Sequence, residues 1–269
     1  QIAPPAQRGL PTPPLPGMPE KFDLSSDTET IGKAFMIYGD KGEAKTTLAL
    51  SYPGRIEALS FDHKTVDIWQ SMYNSDPRID VKDAIRYMDW SSPEAWLKSS
   101  DISLRYIDAL LDEIRDFHPD WIFIDGVDGF VKMAEMTMRY RNSLAMSQGV
   151  EWTYWKERRL YIKQLHLKAL GIAKYGVIYT AYVGVRNTIE DGRIVETKDQ
   201  PKWIDVIKEQ TDVVIRVKAK QFEEGRRFYA TVESSKWNKI KTGKTVDITI
   251  SPGATPDCLN RIIKAGGET

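Results

Sequence analysis

The sequence predicts an α/β fold with a mostly parallel central sheet flanked by helices and antiparallel strands near the C-terminus. Three observations predict it. Short apolar runs alternate with stretches of helical periodicity from residue 31 to residue 182. Two of those runs, 56–61 and 121–124, are followed at once by a carboxylate, Asp62 and Asp125. A strand buried on both faces of a parallel sheet reads as such a run, and its C-terminal end is where ligands bind. A third run, 33–38, enters the stretch Gly39-Asp40-Lys41-Gly42-Glu43-Ala44-Lys45-Thr46-Thr47.

That stretch has the spacing of a phosphate-binding loop, G-x-x-x-x-G-K-T, with Ala44 in place of the second glycine. Backbone N–H groups from Gly39 to Thr47 would converge on phosphate oxygens, Lys45 would reach the β- and γ-phosphates, and the Thr46 hydroxyl would ligate magnesium. Asp125, at the end of its strand, would hold the same ion directly or through water. The implied ligands are ATP and Mg2+. Glycine at position 44 would let the backbone approach phosphate with no Cβ in the way and accept positive φ; alanine there costs something if φ is left-handed.

Taken in order, residues 1–20 hold seven prolines and so exclude helix and interior strand. They read as a disordered leader or as an arm lying on a neighbouring copy, and residues 1–30 form a unit apart. A first strand, the loop and a helix from Thr46 follow. Strands are expected at 56–61 and 84–90, then a helix whose apolar positions include Ile107, Leu110, Leu111, Ile114 and Phe117. The Asp125 strand precedes helices over 127–146 and 153–173 and a buried strand at 176–182. Residues 186–203 are polar and turn-rich, with a hairpin signal at Asp191-Gly192. Strands at 211–218 and 228–234 join through a turn at 223–226. The core spans 31–250, leaving 251–269 as a tail.

Composition narrows the function classes. The 269 residues carry 38 basic and 38 acidic side chains, so any contact with nucleic acid is local. The single cysteine, Cys258, excludes an internal disulfide framework, and three scattered histidines have no metal-ligand spacing. No run of about 18 apolar residues marks a membrane span. The expected location is cytoplasmic, the host's cytoplasm if the chain is viral.

The loop, the acid-ended second strand, the Asp125 strand and the C-terminal strand pair occur in the order of the RecA-like ATPase core, which this chain resembles. In detail it resembles the small phage and archaeal RecA-like ATPases related to recombination and single-strand annealing. The likeness is most specific over 38–60 and at Tyr179-Thr180-Ala181-Tyr182. It implies an ATPase that self-associates into a ring or filament and acts on DNA, single-stranded DNA included. Packaging or helicase-type motors are alternatives within the class, and a non-catalytic nucleotide-binding module is the alternative outside it.

The resemblance also implies roles. Asp62 is the nearest match to the carboxylate that orients the attacking water, with Asp128 as a fallback, and Thr180 matches a γ-phosphate sensor. Tyr182 stands where classic recombinases have glutamine. In 234–241, Lys236 is the first choice and Lys239 the second for a cation reaching ATP on the next subunit. DNA contact would fall to Arg139 and Arg141 after the Asp125 strand, and to Arg186, Arg193, Lys198 and Lys202 after the sensor strand, with Trp203 or Tyr140 stacking on bases.

Overall fold

A computed structural model describes residues 33–190, 193–202, 204–238, 240–251 and 258–267, with the backbone alone for 188–190, 193–196 and 266–267. The proline-rich segment, the turn at Asp191-Gly192, Trp203 and Lys239 lie outside the described residues.

Eight strands make one sheet: β1 (Lys33–Tyr38), β2 (Ile56–Ser60), β3 (Ile79–Asp83), β4 (Trp121–Asp125), β5 (Gly176–Ala181), β8 (Val213–Phe222), β9 (Gly225–Ser235) and β10 (Thr245–Asp247). Their spatial order is β10-β9-β8-β1-β5-β4-β2-β3. From β8 to β3 every pairing is parallel, and β9 and β10 close one edge antiparallel. Two further strands, β6 (Val183–Glu190) and β7 (Arg193–Pro201), form a separate antiparallel ribbon.

The helices are α1 (Lys45–Leu50), α2 (Lys64–Tyr73), α3 (Pro93–Arg115), α4 (Val127–Arg141), α5 (Trp152–Ile172), α6 (Asp205–Gln210) and α7 (Cys258–Gly267). Side chains of β1 alternate between two cores. Met36 and Tyr38 join residues of α3, α4 and α5 on one face. Phe35 and Ile37 join α1, α7, Tyr52 and Trp121 on the other, where Phe35, Tyr52 and Trp121 meet edge to face. Helix α3 starts where the sequence caps it: Ser92 Oγ accepts the Ala95 N–H and Pro93 takes the first turn.

The strand expected at 84–90 is displaced. The strand is β3, and the apolar residues after it form a turn in which Asp83 Oδ1 accepts the Ile85 N–H. Ala84, Ile85 and Met88 pack that turn onto the core. The polar stretch after β5 is a paired ribbon, β6 and β7, shifted in register between Thr188 and Ile189. Among the described residues no helix is long and apolar enough to cross a membrane.

Candidate functional site

Strands β1, β2, β4 and β5 deliver their C-terminal ends to one side of the sheet. There a cavity of about 420 Å3 opens between the loop 41–46, the start of α2 and the start of α4. Its walls include Lys45, Thr46, Asp62, Lys64, Asp125, Asp128, Thr180 and Tyr182. Residues 120 positions apart in sequence meet because parallel connections return each strand end to the same edge.

The buried carboxylate of Asp125 is the centre of the site. Its Oδ2 accepts the Thr46 hydroxyl at 2.9 Å and the Thr65 hydroxyl at 2.8 Å, and its Oδ1 accepts the Thr180 hydroxyl at 2.5 Å. Thr180 Oγ1 in turn accepts the Gly126 N–H. Burial pushes the Asp125 carboxyl above the usual carboxylate range; the Thr180 hydroxyl opposes this, the nearby Asp62 charge adds to it, and the Thr65 and Thr46 hydroxyls oppose it further.

Lys45 Nζ donates to the carbonyls of Gly39 at 3.0 Å and Asp40 at 2.8 Å, and lies 4.6 Å from the centre of the Tyr182 ring. Burial lowers its pKa, against the opposing charges of Asp125, Glu43, Asp128 and Asp40. The loop is anchored sideways by Glu43, whose carboxylate accepts the N–H of Asp40 and the N–H of Ala219 on β8. Gly39 cannot be larger: a Cβ there would stand 2.6 Å from the Val217 carbonyl. Ala44 adopts φ 60° and ψ 26°, the left-handed conformation for which glycine is suited. Lys41 and Asp40 stand exposed at the mouth, Gly42 takes φ 76°, and Thr47 continues α1.

Asp62 follows β2 and uses one carboxylate oxygen to accept the Lys64 N–H at 3.0 Å. Asp128 Oδ1 is buried with no hydrogen-bond partner among the described residues. A hard cation with a phosphate ligand suits this donor set of one hydroxyl and carboxylate oxygens, because magnesium needs only one or two protein ligands beside phosphate. Among the described residues no group of three or more His, Cys, Asp or Glu gathers as a metal cage. Sequence reasoning missed Thr65, which has no motif to mark it, and the ring of Tyr182 beneath Lys45.

Lys236 lies at the opposite end of the strands from the cavity. Its N–H donates to Asp212, just before β8, and Ser235 stands across from Val213, which pairs with Phe35 near the start of β1. About 13 Å of strand separates that level from the loop, so Lys236 cannot serve the site of its own chain. It is exposed, with Nζ 3.4 Å from the Glu209 carbonyl.

The basic residues divide. Arg139 is buried, bonded to Glu135 and to the carbonyls of Ala145 and Gln148, so it holds the turn after α4 and presents no face to a DNA phosphate. Arg141 donates to Asp101 at 2.7 Å and lies over the Tyr161 ring. Arg186 and Lys198 are exposed cross-strand neighbours on the β6–β7 ribbon, and Lys202 is exposed where the ribbon returns, its N–H on the Tyr182 carbonyl. The side chain of Arg193 lies outside the described residues. Asp199 is taken by Arg216 of β8, which removes one acid from the ribbon's free charge.

No protein-family model and no curated protein sequence matches this chain. Among solved structures it is similar to a KaiC-like protein, PH0186, of the hyperthermophilic archaeon Pyrococcus horikoshii OT3, with 14% identity over 83% of this chain and 88% of that one at a TM-score of 0.45. A mostly parallel sheet with a phosphate-type loop on a central strand, a buried acid on a neighbouring strand end and antiparallel strands at one edge is a RecA-like P-loop fold.

Proposed function

We propose that this chain binds ATP with magnesium at the cavity beside Lys45 and hydrolyses it, in an assembly of its own copies that acts on single-stranded DNA. The observation that supports this reading above all is the convergence of Lys45, Thr46 and Asp125 from two elements 80 residues apart in sequence on the floor of one cavity. The Lys45 ammonium, half withdrawn from water, would exchange the Gly39 and Asp40 carbonyls for phosphate oxygens. Thr46 and Asp125 would hold magnesium, which supplies charge neutralisation between phosphates when bound. Asp62, or Asp128 with its unpartnered oxygen, would orient water in line with the γ-phosphorus and take its proton as the bond to the ADP oxygen breaks.

Lys236 of one copy would stabilise charge at the site of the next. The β6–β7 ribbon, rooted at Tyr182 against Lys45, would carry Arg186, Lys198 and Lys202 to DNA phosphates. Residues 1–30 would act as an arm or leader outside this core; the segment expected as a tail, 251–269, instead adds α7 to it, with Cys258, Leu259 and Ile262 buried.

A second reading, nucleotide binding without turnover, draws on Ala44, held at positive φ in the loop itself. ATP turnover and equilibrium nucleotide binding, each compared with Lys45→Ala, separate the two. Turnover above the Lys45→Ala background supports hydrolysis. Binding lost in Lys45→Ala with turnover at background supports the binding module. Equal results for both proteins in both assays overturn the nucleotide site.

A further inference from the structure

We propose that Thr65 is a positioning residue for Asp125, fixing the carboxylate in the orientation that receives magnesium; this rests on the nucleotide-site reading above. Thr65 is the second residue of α2 and is wholly buried. Its hydroxyl donates to Asp125 Oδ2 at 2.8 Å, the same oxygen that Thr46 of the phosphate loop reaches. Ser60 Oγ, at the end of β2, lies 2.8 Å from Thr65 Oγ1, in place to donate to it and so strengthen the bond onward to the carboxylate.

The reason for a third hydroxyl lies in the division of labour at Asp125. Thr46 has a second task in binding, since its oxygen must also face the cation. Thr180 holds only Oδ1. Without Thr65, Oδ2 would be held by the phosphate loop alone, and the angle of the carboxylate would follow whatever Thr46 does when it takes up the cation. Thr65 ties Oδ2 to α2, an element separate from the phosphate loop. The chain bends sharply to place it there: His63, two residues earlier, has φ 60°, and the Phe61 N–H donates to the Asp125 carbonyl. Groups that orient a metal-binding carboxylate typically set metal affinity by about 10- to 100-fold.

The test compares parent, Thr65→Val and Thr65→Ser for affinity toward a fluorescent ATP analogue, with magnesium and with the metal chelated. Valine keeps the branched shape and removes the hydroxyl, whereas serine keeps the hydroxyl. The expected result is a loss of about 10-fold in the magnesium-dependent gain for Thr65→Val, with Thr65→Ser near parent and metal-free affinity equal in all three. Thr65→Val with the parent's gain overturns the proposal, as does a loss that is the same with and without magnesium. A parent that shows no gain from magnesium overturns the nucleotide-site reading itself and this proposal with it. Thermal unfolding confirms that each variant is folded, and Thr65→Ala replaces Thr65→Val if valine is not tolerated.

Discussion

Thr46 Oγ1 donates to Asp125 Oδ2 across 2.9 Å, joining the first turn of α1 to the end of β4. The two residues are separated by more than 70 positions and two intervening strands of the chain, yet neither is exposed. A buried carboxylate with a raised pKa is costly to ionise, so its presence argues for a use rather than for stability. The ionised form carries that cost, and protonation relieves it as pH falls through the raised value. Asp125→Asn should therefore melt no lower than the parent at pH 7 while losing about 100-fold or more of ATP turnover. Calorimetry and a phosphate-release assay check both halves. A strong fall in melting temperature would show that the carboxylate is there for the fold.

Ala44 invites the opposite substitution. Its left-handed φ of 60° costs an L-residue about 1–2 kcal/mol, and glycine's extra freedom in the unfolded chain gives back about 0.5–1 kcal/mol of that. Ala44→Gly should stabilise the protein by about 0.5–1 kcal/mol and tighten ATP binding, because the methyl group leaves the phosphate cradle. Denaturant unfolding and nucleotide titration measure the two effects. Lower stability would mean that local packing of the methyl outweighs the strain.

Lys236 lies at the far end of the strands from its own loop, so its role can be separated by mixing subunits. Lys236→Ala and Lys45→Ala should each lose at least about 100-fold in turnover as pure proteins. In a one-to-one mixture, a site works when an intact loop meets an intact Lys236 from the next copy. Random assembly makes about one quarter of interfaces so, and turnover should recover to about that fraction. No recovery on mixing, with assembly preserved by size, would remove Lys236 from the reaction.

Much of the site was legible because its elements obey simple rules. β1 and β4 are unbroken apolar runs, each ending where chemistry begins, and the glycine–lysine–threonine loop stands between strand and helix. Other parts obey rules that a single sequence does not display. β3 is an edge strand of composition Ile-Asp-Val-Lys-Asp, three charges in five residues, whereas the more apolar 84–90 looked the better strand and serves as a packed turn. Thr65 carries no motif, and its partnership with Asp125 exists only once β2 and β4 pair in register, Ser60 beside Asp125. Arg139 resembles any surface arginine until the turn at 145–148 folds back to supply its carbonyls. Charge is written in the sequence; burial of that charge is a tertiary fact.

The ribbon offers a graded test of DNA contact. Arg186, Lys198 and Lys202 are exposed on β6, β7 and the residue beyond. Replacing all three by alanine should reduce the slope of log affinity against log salt for single-stranded DNA by about 2, at roughly 0.7 per phosphate contact. Arg139→Ala should leave the slope alone and lower the melting temperature, since it strips two carbonyls and Glu135 of their partner. An unchanged slope in the triple variant would exclude the ribbon as the DNA surface.

His166 gives the fold a pH dependence of known sign. Its ring is buried, Nδ1 lies 2.6 Å from the Tyr179 hydroxyl, and Nε2 has no partner among the described residues. Burial holds its pKa down to about 4 from the usual 6.5, against the attraction of Asp212. Above pH 6.5 the ring is neutral in folded and unfolded chains, and pH has no effect through it. Below that, the unfolded chain takes up a proton that the folded chain refuses, so stability falls as pH drops from about 6.5 to about 4. The full loss is roughly 3 kcal/mol, at about 1.4 kcal/mol per pH unit. Replacing the pair together, His166→Leu with Tyr179→Phe, removes both polar groups and avoids leaving one hydroxyl unpaired. The double variant should show a flatter dependence of unfolding free energy on pH across that window than the parent, whatever its stability at pH 7. Parallel curves for the two proteins between pH 4 and 6.5 would mean that His166 accepts its proton in the folded state and that water reaches Nε2.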